Sequence, residues 1–347
     1  MTDIGTPRFR LGFLTHVQGR DDPAAIYCNA AELFVAADQL GFDVGWVAQH
    51  HAPLGGHGGL PSPWTFLANV AARTTRIRLA TAITILLLED PLRLAEDVSV
   101  VDTISGGRVE IGVGSGTSKI EYAAFGRDVE HKRELTTEGL AVLTKALAGG
   151  EVGTDGFRIQ PPPGDFSDRI WQGVFSAGGA QYAAASGSNL LLNRAAYGYS
   201  EPTDEVQRPW ADAYLTAWSQ PQSPRIGLSR FVFPAKDRKT ALDIIGADVL
   251  GAAGRAGSEL GFPADLDTDE ALRRFHSFYG HPDEIIAALQ NEKVLPVATD
   301  LITQFNPAIV DHDNAIRALE LIATEIATAL GWKPVGQTEP PLTGVRP

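Results

Sequence analysis

The chain has 347 residues, 44% hydrophobic and 20% charged, with 29 Lys and Arg against 42 Asp and Glu for a formal net charge of −13. That length exceeds the common domain size of about 100–150 residues but suits one elaborated (β/α)8 barrel of roughly 250–400, and the acidic balance excludes a nucleic-acid backbone binder, which needs a positive surface. The single cysteine, Cys28, forbids an intrachain disulfide; with no apolar run of about 18 residues to span a membrane and no apolar signal-peptide core in MTDIGTPRFR, a cytoplasmic protein is expected.

Hydrophobic patterning sets out the elements in chain order. Arg8–His16 reads as strand one. Ala24–Leu40 reads as a long amphipathic helix closed by Gly41, with Cys28 on it as a small buried hydrophobe. Asp43–His50 is predicted as strand two and Pro63–Arg73 as the second helix. Ile77–Leu88 is apolar and rich in β-branched residues without polar alternation, the pattern of a strand buried on both faces of a parallel sheet. Asp90 then offers an N-cap and Pro91 a first helical position. The helix that follows carries Leu92, Ala95, Val98 and Val101 at helical spacing, with Arg93, Glu96, Asp97 and Asp102 between them, and ends at Ser105-Gly106-Gly107. Val109–Val113 is strand four and opens into Gly114-Ser115-Gly116.

Ile120–Phe125 and Glu130–Leu147 read as helices, and the Pro/Gly-rich Gly149–Asp168 as loops or a hairpin. Ile170–Ser176 is strand five, followed by a helix at Ala180–Ser186. Strand six is Asn189–Asn193, with a helix at Thr203–Trp218; strand seven is Arg225–Phe233, with a helix at Arg238–Ala253. Gly254–Val297 is the least regular stretch and holds a helix at Pro282–Gln290, whose first-turn Asp283 and Glu284 complement the helix dipole. Thr299–Gln304 reads as strand eight and His312–Leu330 as the last helix. Eight strands, each followed by a helix, predict an α/β (β/α)8 TIM barrel rather than an open Rossmann sheet, for which the GxGxxG fingerprint is also missing. Residues 1–332 form the expected single domain and 333–347 a Pro/Gly-rich tail.

Ligands of such a barrel bind at the carboxyl ends of its strands. Gln49-His50-His51 closes strand two. Adjacent histidines on a strand point to opposite sides. One can face the barrel mouth as acid, base or hydrogen-bond donor near neutral pH and the other the wall, unless both are structural. His16, His50, His51 and His57 lack a carboxylate set and make a poor divalent site, so no metal is expected. Strand five runs through Phe175-Ser176-Ala177-Gly178-Gly179-Ala180 straight into a helix. Free N–H groups at a helix start bind anions, though plain capping by Ser176 accounts for the same residues. Ala80, Thr81, Ala82, Gly112 and Gly114 are small enough for a flat ring to lie against backbone, or simply pack the barrel core. Asn193, ending strand six, offers a side-chain amide to a ligand or closes a turn. The aromatics Phe13, Trp46, Tyr197, Phe231 and Phe305 fill the core or wall an apolar pocket; His16, His51 and Tyr197 are the candidates for that pocket.

Three segments together, Ala80-Thr81-Ala82, Asp90–Arg108 and Gly112–Gly116, resemble the luciferase-like flavin monooxygenases, the superfamily of bacterial luciferase. The resemblance extends over roughly residues 8–332 and is closest to the FMN-dependent luciferase-like monooxygenases. It implies a barrel that takes reduced FMN from a separate NAD(P)H:flavin reductase, reacts it with O2 through a C4a-peroxyflavin, and oxidises a small organic substrate. On that resemblance His50 is the catalytic residue. Ser176, Gly178, Gly179 and Ala180 cradle the FMN phosphate, and Thr81, Ala82, Gly112, Gly114 and Asn193 meet the ring. Ser115 falls where the family's luciferase has a phosphate-assisting arginine, so that charge must be balanced elsewhere, with Arg194 and Lys119 as candidates. Gln49 stands where the family often has Glu. The resemblance further implies a cis peptide at Ala82–Ile83, an ion pair from Arg108 to the preceding helix, and a homodimer through outer helices.

Two other activities suit the same fold. One is hydride transfer with the deazaflavin F420, whose long acidic tail favours a more basic rim than this acidic chain advertises. The other is non-catalytic flavin binding, which relatives with lost strands or mouth residues perform. A metal hydrolase stands outside the resemblance. The substrate pocket is expected to be shaped by Gly254–Val297 and by the Gly55–Gly59 loop.

Overall fold

Eight strands pair in parallel and close on themselves in the computed structural model, which describes residues 9–52, 57–257, 262 and 265–334. They are β1 (Arg10–Thr15), β2 (Val44–Val47), β3 (Arg78–Thr81), β4 (Val109–Gly114), β5 (Ile170–Val174), β6 (Asn189–Leu192), β7 (Ile226–Pro234) and β8 (Asp300–Gln304). Each pairs with the next, and β8 closes the ring onto β1 with Arg10 opposite Asp300. The outer ring is α1 (Pro23–Leu40), α2 (Pro63–Ala71), α3 (Pro91–Ser105), α4 (Lys132–Leu147), α5 (Ala177–Ala185), α6 (Thr203–Ala217), α7 (Arg238–Ala256) and α8 (His312–Leu321). No helix among the described residues is long and apolar enough to cross a membrane.

The caps lie where the sequence puts them. The Asp90 carboxylate accepts from the N–H groups of Leu92 and Arg93, and Gly106 ends α3 in the left-handed conformation at φ 72°. Inside the barrel, Leu14, Trp46, Ala80, Trp171, Leu191 and Ile302 interdigitate, with the two indoles edge to face at 5.5 Å. Gly12 makes room for them, because a Cβ there would stand 2.9 Å from Trp46 Nε1. Below them, at the strand starts, Glu110 and Asp300 are 0% and 2% exposed. Arg10 bonds both carboxylates, Arg225 reaches both at 3.2 and 3.3 Å, and Trp171 Nε1 donates to Glu110 at 2.7 Å. The charges compensate one another and seal the bottom of the barrel, the face opposite the ligand site.

Several expectations are corrected. Ile77–Leu88 is not one strand: β3 ends at Thr81, Thr84–Ile85 pairs separately with the end of β4, and Leu86–Leu88 is a 3₁₀ turn. Most of the segment is buried, and a largely apolar run carries no periodicity by which to tell a strand from a covered turn. Asp102 does not face solvent on α3; it is 5% exposed and pairs with Arg169 at 3.0 Å. Arg108 makes no ion pair with that helix, and its guanidinium instead donates to the carbonyls of Ala71, Thr74, Ile77 and Ser105. Cys28 is exposed rather than buried. Gly149–Asp168 contains no strand. Elements not foreseen are an antiparallel pair of Gln18–Gly19 with His57–Gly58, a helix at Thr268–Arg274, and Ser277–Gly280, which extends the sheet along the long end of β7. The last helix passes from α8 into a π-helical stretch at Ile322–Ala327. Residues 53–56, 258–261, 263–264 and the tail from 335 lie outside the described residues, so that part of the glycine loop, of Gly254–Val297 and of the tail stays a sequence expectation.

Candidate active site

A cavity of about 220 Å³ opens at the carboxyl ends of the strands. Three walls form it: His16, His50, Ser229 and Gln304 on one side, Ala82–Ile83 with Gly114–Ser118 on the second, and Gly173–Phe175 with Leu191–Asn193 on the third. Its ionisable lining consists of His16, His50 and Glu121.

The two histidines meet because β1 and β2 are neighbours and each chain continues past its strand end. His16 Nδ1 lies 2.9 Å from His50 Nε2, and His16 Nε2 lies 3.2 Å from Gln304 Oε1. Gln304 Nε2 in turn donates to Ser229 Oγ on β7. Burial lowers the His50 pKa to about 4, with Glu121 pulling upward and His51 pushing down. Burial, His50 and Arg194 push His16 well below its ordinary value. Both rings are therefore neutral at neutral pH.

The segment carrying His50 is clamped from behind. Gln49 is 2% exposed, accepts from Ile85 N at 2.6 Å and donates to Glu89 Oε1 at 2.6 Å. An amide thus stands where the resemblance led one to look for an acid, and its carboxylate partner comes from the end of the 3₁₀ turn. Glu121 Oε1 accepts from the N–H groups of His51 and Ala52 at 2.8 and 2.9 Å. His51 leaves the cavity, contacting Gln49 and setting its ring edge to face on Phe125 at 4.5 Å.

Of the residues expected at the ring, Ala82, Gly114 and Asn193 line the cavity, and Ser115 lines it as well. The peptide between Ala82 and Ile83 is cis, as the resemblance implies. Thr81 and Gly112 are engaged with each other: Thr81 Oγ1 donates to Gly112 O at 2.8 Å and accepts from Gly112 N at 3.1 Å. Both belong to the barrel wall behind the cavity. Asn193 Oδ1 accepts from Arg194 N, so its Nδ2 is what it can offer a ligand. Its carbonyl accepts from Gln207 and from Arg230, a fully buried guanidinium that pairs with Glu292.

At the next strand end, Ser176 caps α5 by accepting from Gly179 N at 3.1 Å, and Ala180 N donates to Ser176 O. Capping and anion binding are compatible here, since the first-turn N–H groups around Gly178 still point out of the helix start. Phe175, just before, is 52% exposed and reaches the cavity. Tyr197 does not line the cavity; it packs edge on to Phe275, with the Arg194 guanidinium 5.9 Å and 5.0 Å from their ring centres. Arg194 is buried beside these rings and near enough to His16 to disfavour a charge there, and Lys119 is exposed at the start of its short helix. A further cation near the end of β4 is Lys132, whose Nζ donates to Gly116 O at 2.8 Å.

Sequence reading missed Glu121, Ser229, Gln304 and Lys132. Gln304 had a signal, being the last residue of strand eight, at the carboxyl end where barrel ligands bind. Lys132 had none, because its place depends on how α4 docks. Among the described residues, no three His, Cys, Asp or Glu side chains come together to hold a metal ion. Gly114 and Gly173 form a cradle that side chains would fill, since a Cβ at either would stand 2.9 or 3.1 Å from Ile83. With the helix start beside it, this donor set fits a flat ring that carries a phosphate.

A closed parallel barrel with a lined cavity at the carboxyl ends of its strands defines an α/β-barrel protein with its ligand site at the usual face. The luciferase-like monooxygenase profile matches residues 8–306, and the chain belongs to that family. It is similar to an alkanal monooxygenase alpha chain from the Kryptophanaron alfredi symbiont, 28% identical over 188 residues, which is 52% of each chain. The matched stretch spans about half the length of that relative and of others like it. Among solved structures, monooxygenase RslO1 from Streptomyces bottropensis aligns with a TM-score of 0.75 at 24% identity over 93% of this chain and 100% of that one. The oxygenating constituent of 3,6-diketocamphane monooxygenase from Pseudomonas putida, in complex with FMN, aligns at 0.71 and 18% over 92% and 98%. A coenzyme F420-dependent tetrahydromethanopterin reductase from Methanopyrus kandleri aligns at 0.66 and 19% over 93% and 99%. These likenesses show the fold.

Proposed function

We propose that this protein is an FMN-dependent monooxygenase that uses reduced FMN and O2 to oxidise a small organic substrate. Membership of the luciferase-like family supports the class. The observation that carries the reading is the neutral His16–His50 pair inside a mostly apolar cavity at the barrel mouth. Bound reduced FMN would supply the electrons that put one oxygen atom into the substrate and the other into water. Ala82, Gly114 and Asn193 would hold the ring beside Ser115, with Thr81 and Gly112 shaping the wall behind it. Ser176, Gly178 and Gly179, with Ala180 ordering the first turn, would receive the phosphate. Lys132 is the cation we assign to balance that charge. His50 would hold or move a proton at the reacting end of the ring, while His16 and the apolar walls exclude water. His51 and Tyr197 shape the surroundings from outside the cavity.

FMN is the favoured cofactor, and among the described residues the cavity lining itself holds no Lys or Arg for the longer polyanionic tail of F420, Lys132 standing behind Gly116 as the single cation assigned to a phosphate. A separate NAD(P)H:flavin reductase is the proposed source of reduced FMN, and a homodimer the proposed assembly. The test is an anaerobic titration with reduced FMN, beside reduced F420, followed by oxygen and a screen for substrate-dependent oxygen consumption. Tight reduced-FMN binding with substrate-dependent uptake supports the proposal. Selective F420 binding recasts the protein as a hydride-transfer enzyme, flavin retention without turnover makes it a binding protein, and binding of neither removes the flavin reading.

A further inference from the structure

We propose that Gln304, acting through His16, fixes the tautomer of His50, placing the proton on Nε2 and leaving Nδ1 bare to accept from the ligand in the cavity. Gln304 is 3% exposed and lies on β8. Its Nε2 is engaged by Ser229 Oγ, so the carbonyl oxygen is what it turns to His16 Nε2 at 3.2 Å. An amide oxygen only accepts, so His16 Nε2 carries hydrogen. A neutral imidazole has one N–H, which leaves His16 Nδ1 as a lone pair. His50 Nε2, 2.9 Å away, must then be the donor. His50 has no second proton, and its Nδ1 is an acceptor.

The chain of assignments holds while both rings stay neutral. Arg194 faces His16, and disfavours a second positive charge there. Glu121 and His51 face His50 with opposing effects, and burial outweighs both. A protonated ring would present two donors and break the directionality. The consequence is a chemical preference. A ligand hydroxyl or N–H gains a hydrogen bond at His50 Nδ1, whereas a carbonyl or carboxylate oxygen has no hydrogen to give. Gln304 is a positioning residue here, since its effect on His50 passes through His16.

The inference does not rest on flavin binding, and its test needs none. Deuterated, flavin-free protein with ¹⁵N-labelled histidine is examined at neutral pH by long-range ¹H–¹⁵N correlation, which reports which ring nitrogen is protonated. His16→Gln and His50→Gln spectra assign the signals. The expected result is a protonated Nε2 and a bare Nδ1 in both rings. Gln304→Glu keeps an oxygen acceptor and leaves both tautomers as they are. Gln304→Leu removes the lock, and the two His50 nitrogens move toward a common averaged shift. A wild-type His50 protonated at Nδ1 overturns the proposal, and so does a Gln304→Leu protein whose His50 tautomer is unchanged. If Gln304→Leu does not fold, Gln304→Glu decides alone: a reversed chain would flip when the donating amide becomes a carboxylate, and such a flip refutes the assignment.

Discussion

Two neutral histidines buried at the mouth make the fold sensitive to acid over a defined range. His50 is held at about 4 against an ordinary 6.5, chiefly by burial. Its folded-state value lies below its unfolded one, so its contribution is complete above about pH 6.5 and is lost as pH falls toward 4. With about 1.36 kcal/mol per unit, the whole window is worth roughly 3 kcal/mol, and the step from pH 7 to pH 5 roughly 2 kcal/mol. Solvent reaching the cavity screens part of this, so the figure is an upper value. His16 is shifted in the same direction and adds to the loss. The assay is urea unfolding at pH 7 and pH 5, followed by tryptophan fluorescence, for the wild type and the His16→Gln/His50→Gln double variant. Other titrating groups are common to both proteins and cancel in the difference. Wild type should lose about 2 kcal/mol more than the double variant on acidification. Equal pH slopes in the two proteins would refute the reasoning that burial keeps this pair neutral.

Four further outcomes are expected. His50→Gln should lower substrate oxidation by about 10²–10⁴-fold, the usual worth of a positioned acid–base group, while leaving flavin affinity within a few fold; a parallel loss of FMN binding would make His50 a binding residue instead. Lys132→Met should weaken FMN roughly tenfold and riboflavin hardly at all, as read by fluorescence titration, and an equal loss for both would remove Lys132 from the phosphate. Gly112→Ala places a methyl 2.1 Å from Thr81 O and should cost at least about 1–3 kcal/mol in unfolding free energy; an unchanged urea midpoint would show that β3 and β4 can part there. Glu121→Ala deprives two backbone N–H groups of their acceptor, at about 1–3 kcal/mol each where they stay buried. It should raise hydrogen exchange at His51 and Ala52, and unaltered exchange there would deny Glu121 its clamping role.

The barrel was legible in the sequence because its cause is local. Most strands are short apolar runs, the helices carry their own period, and Asp90 with Gly106 marks α3 as clearly in sequence as in space. The Ala82–Ile83 segment and the Gly114–Ser115 turn were legible through resemblance, since short-range backbone demands leave short-range residue signatures. Local signals also explain the errors. Ile77–Leu88 is mostly apolar with no polar alternation, and nothing in such a run says where a strand stops and a covered turn begins. Asp102 fits the polar face of a helix until Arg169, 67 residues away, is brought beside it.

What only the tertiary structure decided is which groups meet at the mouth. His16, His50, Ser229 and Gln304 come from four strands spread over almost the whole chain, and β8 pairing with both β1 and β7 is what joins them. The neutrality of the histidines follows from burial, a property of the closed barrel and of no single residue. The sequence alone determined that this protein is a barrel with small residues and a histidine pair at its strand ends. Ring closure determined which of those residues face the cavity, because side-chain direction at a strand end depends on the register and curvature of its neighbours, which no local pattern encodes.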